Sequence, residues 1–233
     1  EMMAHYDVLT QLPNRTLFAD RFKQAIAHSN RNKSLLAVVF LDLDGFKPVN
    51  DTYGHEAGDQ LLIEVSARIQ SCIRQDDTAS RLGGDEFALL LNDVSSAEHC
   101  ETLINRIRHA IELPYHIDGN SISCSASIGI TLYPLDNADA DTLLRHADQA
   151  MYQAKVSGRQ RHHMFDTEQD EQMSEQQNQF KSIEDALISD QLVLFYQPKV
   201  NMRSGEIIGT EALIRWQHTE RGLITPAHFL PVV

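Results

Sequence analysis

An apolar run, Leu35 to Leu41 (LLAVVFL), leads directly into Asp42-Leu43-Asp44. Side chains alternate along a strand, so both aspartates would share one face where that strand ends. A second acidic pair, Asp85-Glu86, follows Gly83-Gly84 and precedes the apolar stretch Phe87 to Leu91. Two glycines permit a tight turn whose backbone can approach a ligand closely. If the two strands are neighbours, Asp42 and Asp85 converge at one sheet end. Convergent carboxylates suit a hard cation, and Mg²⁺ held by carboxylates and phosphate oxygens is the usual combination. Such a site could clamp the oxygens of a phosphoryl transfer. An isolated Asp-x-Asp is ordinarily a solvated strand end, so the second acidic pair is what raises the chemical reading.

The elements needed to position these groups are legible. Asn14 can cap a helix in which Leu17, Phe18, Phe22 and Ile26 share a face. Gly54 to Ile73 reads as a helix with Leu61, Leu62, Val65, Ile69 and Ile73 at helical spacing. Arg81-Leu82 and Phe87 to Leu91 flank the glycines as a hairpin. Ser95 or Ser96 starts a helix carrying Leu103, Ile104, Ile107 and Ile111. Ser121 to Leu132 alternates as a strand. Asp141 to Val156 reads as a helix ended by Gly158 in the left-handed conformation. The order predicts an α+β domain, helices against a mostly antiparallel sheet. From Thr167 to Gln179 the only apolar residue is Met173. The expected organisation is therefore a domain over residues 1–166, a polar linker helix over 167–180, and a fragment of a second α/β domain over 181–233. The chain is expected to be a piece of a longer protein.

At this point RLGGDEF, with FLDLDGFKPVNDTYGHEAGDQLL before it and DQAMYQAKVSGRQR after it, resembles a GGDEF diguanylate cyclase domain. DVLTQLPNR (Asp7 to Arg15) resembles that family's opening segment. The chain departs from the family at Gln11, where Gly is usual, at Pro48 after the lysine, and at Gln160 in place of a common Asn. The resemblance implies a fold like the palm of nucleotidyl cyclases and polymerases. It implies that two GTP-loaded domains meet as a homodimer and condense their nucleotides into cyclic di-GMP and two pyrophosphates. It implies Mg²⁺ (or Mn²⁺) on Asp42, the Leu43 carbonyl and Asp85, and proton removal by Asp85 or Glu86. Asn50 and Asp59 would read guanine, whose N1–H and N2–H donors suit a carboxylate. Lys47, Lys155 and Arg159 would neutralise phosphate charge. Arg74-Gln75-Asp76-Asp77 has the RxxD pattern and spacing of the family's product-inhibition site, with Arg74 and Asp77 gripping cyclic di-GMP. The tail LVLFYQPKVNMRSGEIIGTEALIRWQH (Leu192 to His218) resembles the start of an EAL cyclic di-GMP phosphodiesterase domain. Glu211 would be one metal ligand there. One carboxylate cannot make a two-metal hydrolase, so no phosphodiesterase activity is expected of this stretch.

The formal charge of −13 argues against a nucleic-acid surface. The longest apolar run is far short of a membrane span, so no membrane contact is expected. Cys72, Cys100 and Cys124 read as reduced thiols in a cytoplasmic protein. His162-His163 reads as a solvated strand entry, and Tyr196 and Trp216 as core of the second unit. The competing reading is a non-catalytic domain that binds GTP or cyclic di-GMP and regulates an EAL phosphodiesterase. The complete set Asp42, Lys47, Asn50, Asp59, Asp85 and Glu86 favours catalysis over it.

Overall fold

The protein's structure is a computed structural model that describes residues 5–166, 180–219 and 221–229. Its contacts divide the chain into two units, Glu1–Thr167 and Glu168–Val233. The expected linker helix falls almost wholly on residues 167–179, outside the described residues.

In the first unit the described elements run α1 (Arg15–Asn32), β1 (Leu35–Asp44), α2 (Phe46–Tyr53), α3 (His55–Cys72), β2 (Thr78–Gly83), β3 (Glu86–Val94), α4 (Ala97–Glu112), β4 (Tyr115–Ile117), β5 (Asn120–Ile122), β6 (Ser125–Tyr133), α5 (Ala140–Val156) and β7 (His162–Met164). The sheet order is β2-β3-β1-β6-β7. All pairs are antiparallel except β6 with β7. The expected α+β architecture is thus found, with β1 at the centre.

The central position explains the unbroken apolar run of β1. Ala37, Val39, Leu41 and Leu43 face one core with Leu61, Val65 and Ile69 of α3 and Ile104 and Ile107 of α4. Leu36, Val38 and Phe40 face another with Phe18 and Phe22 of α1 and Leu143, Ala147 and Met151 of α5. A strand covered on both faces has no polar side to alternate with. Burying each large side chain contributes about 1.5–3 kcal/mol relative to exposure. The α5 seam is especially close. A Cβ on Gly129 of β6 would lie 1.9 Å from the Ala147 carbonyl oxygen and 2.1 Å from the Met151 nitrogen. Only glycine lets this helix backbone rest on that strand.

Local chemistry sets the helix ends. Asn14 Oδ1 accepts from the Thr16 and Leu17 N–H groups at 3.0 and 3.1 Å, a cap worth about 1 kcal/mol. Ser96 and Asp139 cap α4 and α5 in the same way. The Arg68 guanidinium of α3 lies 3.5 Å from the centre of the Tyr115 ring and donates to the carbonyls of Ala110 (3.0 Å) and Pro114 (2.8 Å). It thereby ties α3 to the C-terminal end of α4.

In local detail the structure adds to the sequence reading and corrects it. Residues 46–53 form α2; Pro48 lies in the first turn, where its missing N–H costs nothing. The stretch expected as one strand from Ser121 is two. β5 closes a hairpin with β4 across Asp118-Gly119, both at positive φ, and β6 starts afresh at Ser125. That Asp-Gly pair is the signal for a two-residue hairpin turn. At the end of α5 the cap is Ser157, and Gly158 follows at positive φ (119°) as expected, with Arg159 (φ 58°) and Gln160 (φ 51°) continuing in the left-handed region. His162 and His163 belong to β7 and are half-buried rather than solvated.

In the second unit residues 180–188 are helical. β8 (Leu192–Val200), β9 (Ile207–His218) and β10 (Gly222–Ile224) form a sheet in the order β10-β9-β8. Trp216, Ala186 and Phe229 make its small core, with Leu192 and Ile214 against it. Tyr196 departs from expectation and is 67% exposed. It shares a face with Leu192 and Leu194 but lies further along β8, past the end of that cluster. Among the described residues no helix is long and apolar enough to cross a membrane.

Candidate active site

The end of the sheet gathers the acidic residues. Asp42, near the end of β1, is paired across the ladder with Glu86 of β3 and Ser127 of β6. The next N–H, of Leu43, donates to the Asp85 carbonyl oxygen at 3.3 Å, which fixes the β2–β3 turn beside the strand end. That turn is braced from outside. Arg81 Nε and Nη2 donate to the Gly84 carbonyl oxygen at 2.9 and 2.8 Å, and Nη1 to Asp7 Oδ1 at 3.0 Å. Burial pushes the Asp7 carboxyl up, but the Thr10 and Arg81 hydrogen bonds more than offset it and hold it low.

From the other side α5 brings Lys155, whose Nζ lies 2.8 Å from Asp42 Oδ1. Burial, with the charges of Asp85 and Asp44, raises the Asp42 carboxyl above its usual range against the pull of Lys155. Burial first, then Asp42, Asp148 and Asp85, raises Glu86, opposed by Arg15. The site therefore holds more negative charge than its own cations neutralise. That donor set fits a divalent cation. Among the described residues no cluster of three or more His, Cys, Asp or Glu side chains could hold a metal alone. A cation here would need a backbone carbonyl and ligand oxygens besides Asp42 and Asp85, the manner in which Mg²⁺ is commonly bound.

The charge on Glu86 has a measurable consequence. A carboxyl that holds its proton more tightly in the folded chain favours folding below its unfolded pKa. That advantage is lost as pH rises through the folded value. Ionised Glu86 thus works against the fold at pH 7. Glu86→Gln is expected to raise the metal-free melting temperature at pH 7 by about 1–2 °C, with little gain near pH 4. Melting curves at the two pH values decide it; an equal shift at both would contradict the electrostatic cause.

The remaining expected residues lie as follows. Lys47 is exposed in the first turn of α2, and Asn50 sits one turn on. α2 packs on α3 so closely that a Cβ on Gly58 would lie 1.9 Å from Asn50 Oδ1. Asn50 and the exposed Asp59 are thereby neighbours across that contact. Arg159 follows α5, its Nε 4.0 Å from Asp44 Oδ1. Arg74 and Asp77 lie apart, on the α3–β2 connection. Both Asp77 oxygens accept backbone N–H bonds, from Arg74 and Asn92, each at 2.8 Å. A cavity of about 280 Å³ beside them is lined by Arg21, Gln70, Arg74 and Asp77 among others. Glu211, on β9, pairs with Lys199 at 3.4 Å. The groups that the sequence reading missed are Arg15, Asp148 and Arg81. Asp148 stands seven positions before Lys155, on the same helix face, and was visible at that spacing.

A family model described as diguanylate cyclase, GGDEF domain, matches residues 4–161. The chain belongs to the GGDEF family. A second model, the EAL domain, matches residues 181–233, so a GGDEF domain is followed by part of an EAL domain. Over 230 residues the chain is 47% identical to the bifunctional diguanylate cyclase/cyclic di-GMP phosphodiesterase MucR of Pseudomonas aeruginosa, covering 99% of this chain and 33% of that protein. It is 43% identical to the cyclic di-GMP phosphodiesterase PdeR of Escherichia coli, covering 98% of this chain and 34% of that one. The chain thus spans about a third of these relatives' length. Among solved structures, the isolated GGDEF domain of TpbB from Pseudomonas aeruginosa is 39% identical. It superposes with a TM-score of 0.69 over 73% of this chain and 99% of that one.

Proposed function

We propose that this GGDEF domain is a diguanylate cyclase that condenses two GTP molecules into cyclic di-GMP and two pyrophosphates. The observation that carries the reading is the Asp42–Lys155 pair at 2.8 Å beside the Asp85-Glu86 turn. One sheet end offers carboxylates for a cation and for proton removal, and an ammonium group for phosphate. Each 3′-oxygen would bond to the α-phosphorus of the other GTP as the bond to pyrophosphate breaks. Asp85 or Glu86 would take the hydroxyl proton, and its raised affinity for protons suits Glu86 to that task. Asp42, the Leu43 carbonyl and Asp85 would hold Mg²⁺ or Mn²⁺, which supplies charge stabilisation of the phosphoryl oxygens. Lys47, Lys155 and Arg159 would bind phosphate, and Asn50 and Asp59 guanine.

One domain presents one GTP, so the reaction needs a homodimer. A GTP supply and three free, buried thiols fit a cytoplasmic protein. The test is incubation with GTP and Mg²⁺ and separation of products by mass; no cyclic di-GMP at any protein concentration would refute the reading. ATP should turn over poorly, because a site built to pair guanine leaves polar groups unmatched by adenine. A second reading, a nucleotide-binding domain that regulates an EAL phosphodiesterase, is favoured by the similarity to PdeR, named a phosphodiesterase. It predicts GTP binding without product.

Product inhibition at Arg74 and Asp77 belongs to the same proposal. Arg74→Ala removes charge-assisted hydrogen bonds worth about 1.5–3 kcal/mol each. Cyclic di-GMP affinity is expected to fall about ten- to a hundredfold, with turnover at low product nearly unchanged. Calorimetric titration of both proteins reads this, and equal affinities would reduce RxxD to a surface turn.

A further inference from the structure

Asp44 shares a strand face with Asp42, yet its surroundings differ. Its side chain is only 8% exposed. Oδ1 accepts from Ser127 Oγ at 2.7 Å; Oδ2 accepts from Ser125 Oγ at 2.9 Å and from the Gln160 backbone N–H at 3.1 Å. Arg159 Nε stands 4.0 Å from Oδ1. The two serines lie on β6, directly opposite Asp44 and Asp42 in the ladder. The carboxylate is therefore gripped from the sheet and in turn grips the segment after α5.

That segment needs holding. Arg159 and Gln160 are consecutive non-glycine residues at positive φ, a conformation that persists only where contacts impose it. Two hydrogen bonds impose it here. The Arg159 N–H donates to the Ala154 carbonyl oxygen at 3.0 Å, and the Gln160 N–H donates to Asp44. We infer that Asp44 is a positioning residue for triphosphate recognition: locked by Ser125 and Ser127, it fixes the Arg159–Gln160 turn and hence the place of the Arg159 guanidinium. The inference rests on the proposed reading of Arg159 as a phosphate ligand. It gives the second aspartate of the strand end a task other than metal binding, since both its oxygens are already engaged.

The test uses 3′-deoxy-GTP, which lacks the attacking hydroxyl, and GMP, which lacks the β- and γ-phosphates. Both are titrated with Mg²⁺ into the wild-type chain, Asp44→Ala and the shape-preserving Asp44→Asn. Hydrogen exchange over residues 158–161 is followed in the free proteins. Asp44→Ala is expected to bind 3′-deoxy-GTP about tenfold more weakly, or about 1.4 kcal/mol. GMP affinity should stay within about twofold, well under the 1.4 kcal/mol of a decade. Exchange at the Gln160 amide should quicken. Asp44→Asn keeps an acceptor but loses the charge facing Arg159, so its loss should be smaller and in the same direction. Equal losses for the two nucleotides, or an unchanged affinity for 3′-deoxy-GTP, would overturn the assignment. A wild-type chain that binds 3′-deoxy-GTP but makes no product from GTP would refute the cyclase reading alone. Asp44 would then still be judged by the ratio of the two affinities. A wild-type chain that binds neither nucleotide would overturn both.

Discussion

Asp85→Ala is expected to lower cyclic di-GMP synthesis about a hundred- to a thousandfold, the scale of removing one electrostatic contact to a transition state in a desolvated site. Two effects combine. The substitution takes away a carboxylate from the cation's donor set, and it lessens the negative field that raises Glu86. The fold should tolerate it. The Asp85 backbone carbonyl that accepts from Leu43 remains, and the Arg81 brace ends on Gly84 rather than on Asp85. Product formation from GTP is the measurement, with melting curves as the control for folding. A well-folded Asp85→Ala protein with more than about a tenth of wild-type turnover, a barrier change under about 1.4 kcal/mol, would remove Asp85 from the chemistry.

Gly129→Ala is expected to have the largest effect on stability. The added Cβ meets main-chain atoms of Ala147, Ala150 and Met151, which have no rotamer to escape into. α5 must lift from β6, opening the core around Leu143, Ala147 and Met151. Overpacking and lost burial together place the loss at about 3 kcal/mol or more. Chemical denaturation of the wild type and the variant reads it directly. If the variant folds, Lys155 is displaced with its helix and phosphate binding should weaken as well. A loss below about 1 kcal/mol would mean that the helix yields far more readily than close packing allows. Gly58→Ala is a useful contrast, because its Cβ meets the Asn50 side chain, which can turn away.

The strand end, the hairpin and the helix faces were legible because each rests on local sequence. An apolar run ends in acids, two glycines stand before Asp85, and Leu and Ile recur at helical spacing. α2 carries no clear helical signal because it is short and holds Pro48, although a proline in a first turn breaks no hydrogen bond. The β4–β5 hairpin was missed because Ser121 to Leu132 alternates well enough to hide the break near Cys124. The site showed the same division. Asp42 and Asp85 could be paired from sequence, since neighbouring strands carry them. The link from Asp44 to the Gln160 amide joins a strand to a turn more than a hundred positions later, and no local pattern announces such a bond. The exposure of Tyr196 was equally hidden, because alternation assigns a face but says nothing of how far a covering helix reaches.

The central place of β1 has a consequence for synthesis on the ribosome. Leu41 is flanked by Phe87 on one side and Ile128 on the other, so the strand leaves the ribosome long before either neighbour. Until β6 and α5 follow, a run of seven apolar residues has no permanent cover and is open to wrong pairings. Non-local pairing of this kind also slows folding. The acidic strand end, Lys155 and the Gln160 amide assemble only when the chain past residue 160 is free. A nascent domain therefore has no organised Arg159–Gln160 turn, and any ligand that stabilises the finished fold acts only after α5 has docked.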